Sequence, residues 1–214
     1  MDLMLSHGCF AAQHCANYTA MLTQQLMGVQ MKPSLVATFA LVLASAALAE
    51  DFLAARKVPV FGPFEPLMHS PQVMNQARAM GDYLRYNSAI GNTLSELAIL
   101  ITAREWTQDY EWYVHQPIAL KAGIKPEIIN AIADGRRPTG MSENEEIVYD
   151  FSTELHNNKR VSDRTFERAD KRFGKKGIVD LTGINAYYTL LAMQLNVARY
   201  NLPKDGKRMS RFPE

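Results

Sequence analysis

Apolar side chains recur every three or four residues through most of the chain beyond residue 70, which is the spacing of one face of an α-helix. The first such stretch follows Ser70 as a candidate N-cap and has Pro71 at the first helical position, where proline is favoured. Another long stretch lies near the C-terminus. The two apolar series are Val73, Ala77, Met80 and Leu84, and then Ile178, Leu181, Ile184, Tyr188, Leu191 and Leu195. Both series predict amphipathic helices.

Residues 92–105 read "NTLSELAILITARE" and are apolar on almost every side, which predicts a helix buried all round. Asn92 or Thr93 is the predicted N-cap, because both side chains can accept a hydrogen bond from a free backbone N–H. The next helical segment contains Pro117, which favours a kink, and ends at Gly123.

Polar signals set the boundaries of the later helices. Ser142 and Glu145 form the sequence pattern of a capping box, and Ser162 and Gly174 are predicted to begin and end a further helix. The polar tail after Pro203 is predicted to be loose. No segment shows the alternation expected of a strand. The sequence therefore predicts an all-α fold of about seven or eight helices.

Residues 31–49 have the three parts of a secretory signal peptide. Lys32 supplies the positive start, residues 35–48 are almost continuously apolar, and Ala47 to Ala49 match a small-residue cleavage site. The pattern predicts cleavage after Ala49 and an exported, periplasmic protein. An N-terminal helix of the folded domain and an uncleaved anchor are the alternatives. The apolar run is shorter than the roughly 20 residues of a membrane-spanning helix, so no stable span is expected after cleavage.

The remaining domain organisation follows from that leader. Residues 1–30 are predicted to be an upstream misannotated or disordered extension, and residues 50–214 to be the folded domain. Cys9 and Cys15 both precede residue 31, so the predicted mature chain has no disulfide, no thiolate nucleophile and no Cys-ligated metal. The 23 basic and 22 acidic residues nearly balance, which gives no electrostatic reason to expect a nucleic-acid partner.

Three side chains are the main candidates for chemistry. Glu111 and His115 are four residues apart and share one helical face, and Glu96 is a carboxylate within the apolar segment "LSELAIL". An apolar pocket would raise the pKa of a carboxyl group, which suits general acid/base catalysis. A structural Glu–His hydrogen bond in the core explains the same spacing. A zinc or iron site that adds His156 is a further alternative, but the chain has no H-E-x-x-H motif, and no metal is predicted.

Other polar residues are candidates for binding a substrate. Arg85 and Arg104 can hold an anion, because a guanidinium group binds a carboxylate through two hydrogen bonds. Asn196 is an amide among apolar neighbours, and it is either a site residue or a helix contact. Tyrosines can line a pocket or pack in the core, and the candidates are Tyr110, Tyr187 and Tyr188.

The segment "SELAILITAREWTQDYEWYVHQPIALKAGIKPEIINAI" resembles the core of the carboxymuconolactone decarboxylase family, which includes the AhpD-like alkylhydroperoxidases. The resemblance extends to residues 63–86 and to "DLTGINAYYTLLAMQLNVA" at residues 180–198. It implies an AhpD-like all-α domain whose subunits assemble as homotrimers or homohexamers.

The resemblance also assigns positions within the site. AhpD-like proteins have a Glu on one helix and a C-x-x-C pair and a His on the next. The Glu position falls on Glu96 and the His position on His115, whereas Gln108 and Glu111 stand where the two cysteines would be. Gln108 is therefore counted as a substrate-binding candidate, together with Arg104, Tyr110 and Asn196. A thiol peroxidase mechanism needs both cysteines, so that activity is disfavoured.

The surviving Glu96, Glu111 and His115 resemble the decarboxylase branch of the family. This implies a cofactor-free lyase that acts on a small carboxylated lactone by general acid/base catalysis, with a small-molecule carboxylate or lactone as its partner and no metal. The alternatives are a lactone hydrolase or isomerase at the same site, and an exported oligomer that binds a ligand without chemistry.

Overall fold

Residues 62–210 are the part of the chain that a computed structural model describes, and within them the chain forms seven helices and no strand. This confirms the predicted all-α class. The predicted upstream extension and signal peptide lie outside the described residues and stay predictions. The helices are α1 (Phe64–Leu67), α2 (Pro71–Tyr86), α3 (Asn92–Glu105), α4 (Asp109–Lys121), α5 (Pro126–Ala133), α6 (Glu143–Asn158) and α7 (Asp163–Val197).

Helix α3 is the centre of the fold, and it packs against α4, α6 and α7. Every residue from Leu94 to Arg104 is buried, which confirms the prediction of a helix enclosed on all sides. A helix of this kind has no solvent face on which a polar side chain can be placed without cost. Glu96 is only 1% exposed and therefore needs a partner from a neighbouring helix.

The prediction that Asn92 or Thr93 caps α3 is wrong. The N-cap is Gly91, whose φ of 81° lies in the left-handed region that glycine adopts easily. Asn92 is already helical, and the Thr93 hydroxyl donates to the carbonyl oxygen of Ala122 at 2.8 Å. The Thr93 side chain, which the sequence predicts as a possible local cap, thus makes a long-range contact.

Other boundary signals are confirmed. The Ser142 hydroxyl accepts a hydrogen bond from the backbone N–H of Glu145, whose carboxylate in turn accepts one from the Ser142 N–H, so the capping box is complete. Gly174 interrupts α7 with φ 66° and ψ 179°, so the 35-residue helix is two helical parts joined at that glycine. Pro117 lies inside α4, and Gly123 follows its end with a φ of 98°.

The C-terminal segment after α7 packs against α4, so the prediction of a loose tail is wrong for residues up to 210. The backbone N–H of Met209 donates to Asp109 Oδ1 at 2.9 Å, and the Met209 side chain is buried. The Tyr113 hydroxyl also donates to Asp205, at 3.2 Å. Among the described helices none is both long and apolar enough to cross a membrane.

Candidate functional site

The structure brings Glu96, Glu111 and His115 together in one buried cluster. His115 Nδ1 lies 2.7 Å from Glu96 Oε2, and His115 Nε2 lies 3.5 Å from Glu111 Oε2. All three residues are less than 5% exposed. The first contact is a hydrogen bond, whereas the second is longer than a normal one. The imidazole therefore lies between two carboxyl groups and is fixed firmly by only one of them.

The packing of α3 against α4 produces this arrangement. Glu96 comes from α3, while Glu111 and His115 lie one turn apart on α4. The start of α4 is fixed by Gln108, whose Oε1 accepts hydrogen bonds from the backbone N–H groups of Tyr110 at 2.7 Å and Glu111 at 3.3 Å. The cap therefore holds the first turn of α4, which carries Glu111, and the helical repeat brings Glu111 next to His115.

Glu111 is the least satisfied member of the cluster. Its Oε1 is buried and has no hydrogen-bond partner among the described residues. Burial raises the pKa of Glu111, an effect that nearby His115 and Arg85 partly oppose. This is the direction expected for a carboxyl group in an apolar pocket, and a protonated carboxyl group can donate a proton.

Glu111 and His115 line a small cavity between α1, α2, α4 and α7, with a volume of about 170 Å³. Glu96 is not part of its wall, so it reaches the cavity only through His115. The polar part of the wall includes an arginine, and most of the remainder is aromatic or aliphatic. Besides Glu111 and His115, the principal lining residues are Phe64, Arg85, Tyr110, Tyr187, Tyr188 and Leu191.

Two adjacent tyrosines of α7 form the aromatic wall. The ring of Tyr188 meets His115 edge-on at 5.1 Å between centroids and meets Tyr187 in the same way at 5.3 Å. Burial raises the pKa of both phenols, so both stay protonated at neutral pH. Tyr187 fits against α2 only because residue 81 is glycine, since an added Cβ there would lie 2.2 Å from the Tyr187 hydroxyl oxygen.

Sequence reasoning missed Gly81, although a glycine within an otherwise helical stretch is itself a signal of close packing. It also counted Arg104, and not Arg85, among the substrate-binding candidates. The structure places Arg85 in the cavity wall, whereas Arg104 is buried on α3 and does not line the cavity. Tyr110 does line it, as a half-buried side chain whose ring packs edge-on against Tyr200 at 4.9 Å.

Gln108 and Asn196, both substrate-binding candidates, lie outside the cavity and contact each other. Gln108 Nε2 donates to Asn196 Oδ1 at 2.9 Å, and Asn196 Nδ2 donates to the Trp106 carbonyl oxygen at 3.4 Å. These bonds connect the start of α4 to the end of α7. The pair lines a separate groove of about 380 Å³.

His156, the extra ligand considered for a metal, belongs to a different buried network. Its Nε2 lies 3.0 Å from the Thr102 hydroxyl, which also donates to Asn185 Oδ1 at 3.2 Å. Burial lowers the pKa of His156, which favours the neutral ring. In the part of the chain that the structure describes, no group of three or more His, Cys, Asp or Glu side chains is arranged to hold a metal ion.

Comparison with known proteins adds evidence on the fold. No protein-family model matches the chain, and no curated protein sequence is similar to it. A similar solved structure is the crystal structure of a protein of unknown function from Agrobacterium tumefaciens, described as a candidate antioxidant defence protein AhpD. It superimposes with a TM-score of 0.58 at 16% sequence identity, over 65% of this chain and 96% of that chain. The chain therefore has the all-helical fold of AhpD-like proteins.

Proposed function

We propose that the cavity is an active site for general acid/base catalysis on a small carboxylated lactone, with loss of CO₂ as the leading reaction. The observation that supports this most strongly is the position of His115 between two buried carboxyl groups, one of which, Glu111, lines the cavity and has an unsatisfied oxygen atom. A purely structural Glu–His pair needs only the Glu96 contact. The second, poorly satisfied carboxyl group is expected at a site that exchanges protons.

Glu96, Glu111 and His115 have different roles in the proposed catalysis. The Glu96 carboxylate accepts a hydrogen bond from the His115 Nδ1–H group, and this bond fixes the tautomer and the orientation of the imidazole ring. The Nε2 lone pair of the neutral ring then faces Glu111. Glu96 is thus a positioning residue, while Glu111 and His115 are the proposed catalytic residues. Glu111 in its acid form supplies a proton to the substrate, and His115 then takes up a proton from water at Nε2 and passes it to Glu111.

In the proposed reaction the bond between a ring carbon and its carboxylate breaks, and CO₂ leaves. The electron pair of that bond spreads into the conjugated lactone carbonyl, and a proton from Glu111 is then added at carbon. No electrons are gained or lost overall, so the reaction needs no oxidant or reductant. Positioned proton transfer of this kind contributes roughly 10²–10⁴-fold in rate.

Thiol peroxidase chemistry is not supported by these residues. Gln108 and Glu111 occupy the positions at which the sequence resemblance places the two cysteines, and residues 62–210 contain no cysteine. The Gln108 side chain is instead committed to capping α4. A thiolate that attacks a peroxide and a second thiol that resolves the product have no counterpart in this cavity.

Turnover of a panel of carboxylated lactones by the full chain tests the proposal, with ring absorbance and released CO₂ measured together. Glu111→Gln and His115→Gln should each lose at least about a hundredfold in kcat while the fold is retained. His156→Gln is the matched control, because it alters another buried histidine that does not line the cavity. Equal activity in all of these variants would contradict the proposed roles.

The products also separate the alternatives. A lactone hydrolase at the same site adds water and releases no CO₂, and an isomerase leaves the mass of the substrate unchanged. A chain that binds the lactones without converting any of them is the ligand-binding oligomer considered from the sequence.

Export and assembly are further proposals that rest on the sequence. The three-part pattern of residues 31–49 supports cleavage after Ala49, which N-terminal sequencing of the protein recovered from a Gram-negative periplasm tests. The family resemblance supports a homotrimer or homohexamer, which light scattering distinguishes from a monomer.

A further inference from the structure

Arg85 differs from Arg78 on the same cavity wall in forming no ion pair with any described residue, although Glu96 and Glu111 are near enough to interact with it electrostatically. It lies in the last turn of α2, and its Nε is buried without a hydrogen bond. The central carbon of its guanidinium group lies 5.3 Å from the centroid of the Tyr86 ring. By contrast, Arg78 pairs with Asp82 at 3.7 Å. A half-buried guanidinium group normally forms an ion pair, so the lack of one among the described residues points to a ligand.

Other polar side chains line the same cavity. Glu111 Oε1 is buried and has no hydrogen-bond partner among the described residues, and Tyr187 and Tyr188 are part of the same wall. Each of these three residues is at most 3% exposed. Together with Arg85 they offer one charged and several neutral hydrogen-bonding groups around a single space. A ligand rich in oxygen atoms would satisfy all of them at once.

The charge of the cavity wall limits what the ligand can be. Burial raises the pKa of Glu111, which disfavours a negative charge on this side chain, and Arg78 and Asp82 offset each other. Arg85 is the other cationic side chain of the wall, and it forms no ion pair with any described residue. The volume of about 170 Å³ is well below the roughly 300–1,000 Å³ of sites for drug-sized ligands. Both features fit an anion built on a single small ring.

We infer that Arg85 is the anion-recognition residue of this cavity and binds a carboxylate of a small single-ring acid. This inference rests on the same cavity as the proposed function and specifies how the substrate is held. An ion pair with Arg85 stabilises the carboxylate that it contacts, so the bound carboxylate is one that the reaction retains. The group that leaves as CO₂ must then lie elsewhere on the ring.

Binding of furan-2-carboxylate to the full chain, measured by calorimetry against furan-2-carboxamide, tests the inference without any turnover. The two probes have nearly the same shape and differ in charge. We expect the wild-type chain to prefer the carboxylate, and Arg85→Gln to lose about tenfold to a hundredfold in carboxylate affinity with little change for the amide, as a charged hydrogen bond implies. Arg85→Lys, which keeps the charge, should retain part of the preference and covers the case in which Arg85→Gln folds poorly.

Arg78→Gln is the matched control, because it removes a second arginine from the same cavity wall. Its carboxylate affinity should stay within about twofold of wild type, as for a partly exposed ion pair. Undiminished carboxylate binding in Arg85→Gln, a preference lost only in Arg78→Gln, or no wild-type preference for the carboxylate would each overturn the inference. Binding through Arg85 without turnover of any lactone would keep the anion site and refute the proposed catalysis. Lactone turnover that is unchanged in Arg85→Gln would refute the anion site and leave the proposed catalysis in place.

Discussion

Replacing Gly81 by alanine tests the packing that shapes the cavity. The new methyl carbon would lie 2.2 Å from the Tyr187 hydroxyl oxygen and 2.5 Å from its Cζ. Ordinary contacts between such atoms are about 3.5–4.0 Å, so the overlap exceeds an ångström. Tyr187 is 3% exposed and packs on Tyr188, and the cavity is the side toward which its ring can tilt.

The magnitude follows from two opposing effects. Overpacking of a buried site costs about 1–3 kcal/mol, while alanine is favoured over glycine within a helix by about 1 kcal/mol. Gly183→Ala on α7 is the matched control, because it gains the same helix preference and its new methyl meets only the ends of the flexible Leu84 and Met80 side chains, the nearest being Leu84 Cδ2 at 3.1 Å. We therefore expect Gly81→Ala to be less stable than Gly183→Ala by about 1–3 kcal/mol.

Urea unfolding followed by circular dichroism gives both free energies of unfolding. The double variant Gly81→Ala, Tyr187→Ala should recover the part of the loss that arises from the overlap, as a coupling of about 1–3 kcal/mol. Equal stability of the two glycine variants, or no coupling with Tyr187, would show that Gly81 does not shape this wall. Reduced affinity of Gly81→Ala for furan-2-carboxylate would link the packing to the ligand.

Three further predictions concern single side chains. Because burial raises the folded-state pKa of Glu111, its protonation stabilises the fold at acid pH, and this contribution is lost as the pH rises from the unfolded-state pKa through the folded-state pKa. Urea unfolding across that range should show a smaller decline in the free energy of unfolding for Glu111→Gln than for the wild-type chain. An equal decline in both would contradict the pKa direction. Glu96→Ala removes the partner of His115 Nδ1 and should lower the free energy of unfolding by about 1–3 kcal/mol, whereas a neutral effect would show that the pair is dispensable. Ser142→Ala removes the capping box of α6 and should lower the thermal midpoint, for a loss of about 1 kcal/mol. Ser70→Ala is its control, because Ser70 is the N-cap of α2 but its side chain makes no capping hydrogen bond.

The helices were predictable because their signals are local. Apolar spacing, the Ser142 capping box and the interruption at Gly174 depend on residues within a few positions of one another. The cap of α3 was not predictable in this way, because the Thr93 hydroxyl donates a hydrogen bond to the carbonyl oxygen of Ala122, 29 residues further along the chain. The ordered C-terminal segment depends on the bond from Met209 to Asp109, which no local pattern shows.

Part of the candidate site was likewise predictable from the sequence, and part of it was not. Glu96 was noticeable as a carboxylate in an apolar helix, and Glu111 and His115 as a pair one turn apart, so their convergence could be expected once two adjacent helices were predicted. The choice between Arg85 and Arg104 could not be made from sequence. Both lie near the ends of helices, and only the packing of α2 against α7 places Arg85 in the cavity wall.

The sequence by itself determined which segments are helical, the absence of a cysteine pair after residue 30, and the residue types available for proton transfer. These properties depend only on the spacing of residues along a single chain segment or on composition. Only the tertiary structure decided that Gln108 caps a helix, that Glu96 contacts His115 from outside the cavity wall, and that Arg85 forms no ion pair among the described residues. Those properties depend on which faces of separate helices meet, and that choice is made by packing the whole core at once.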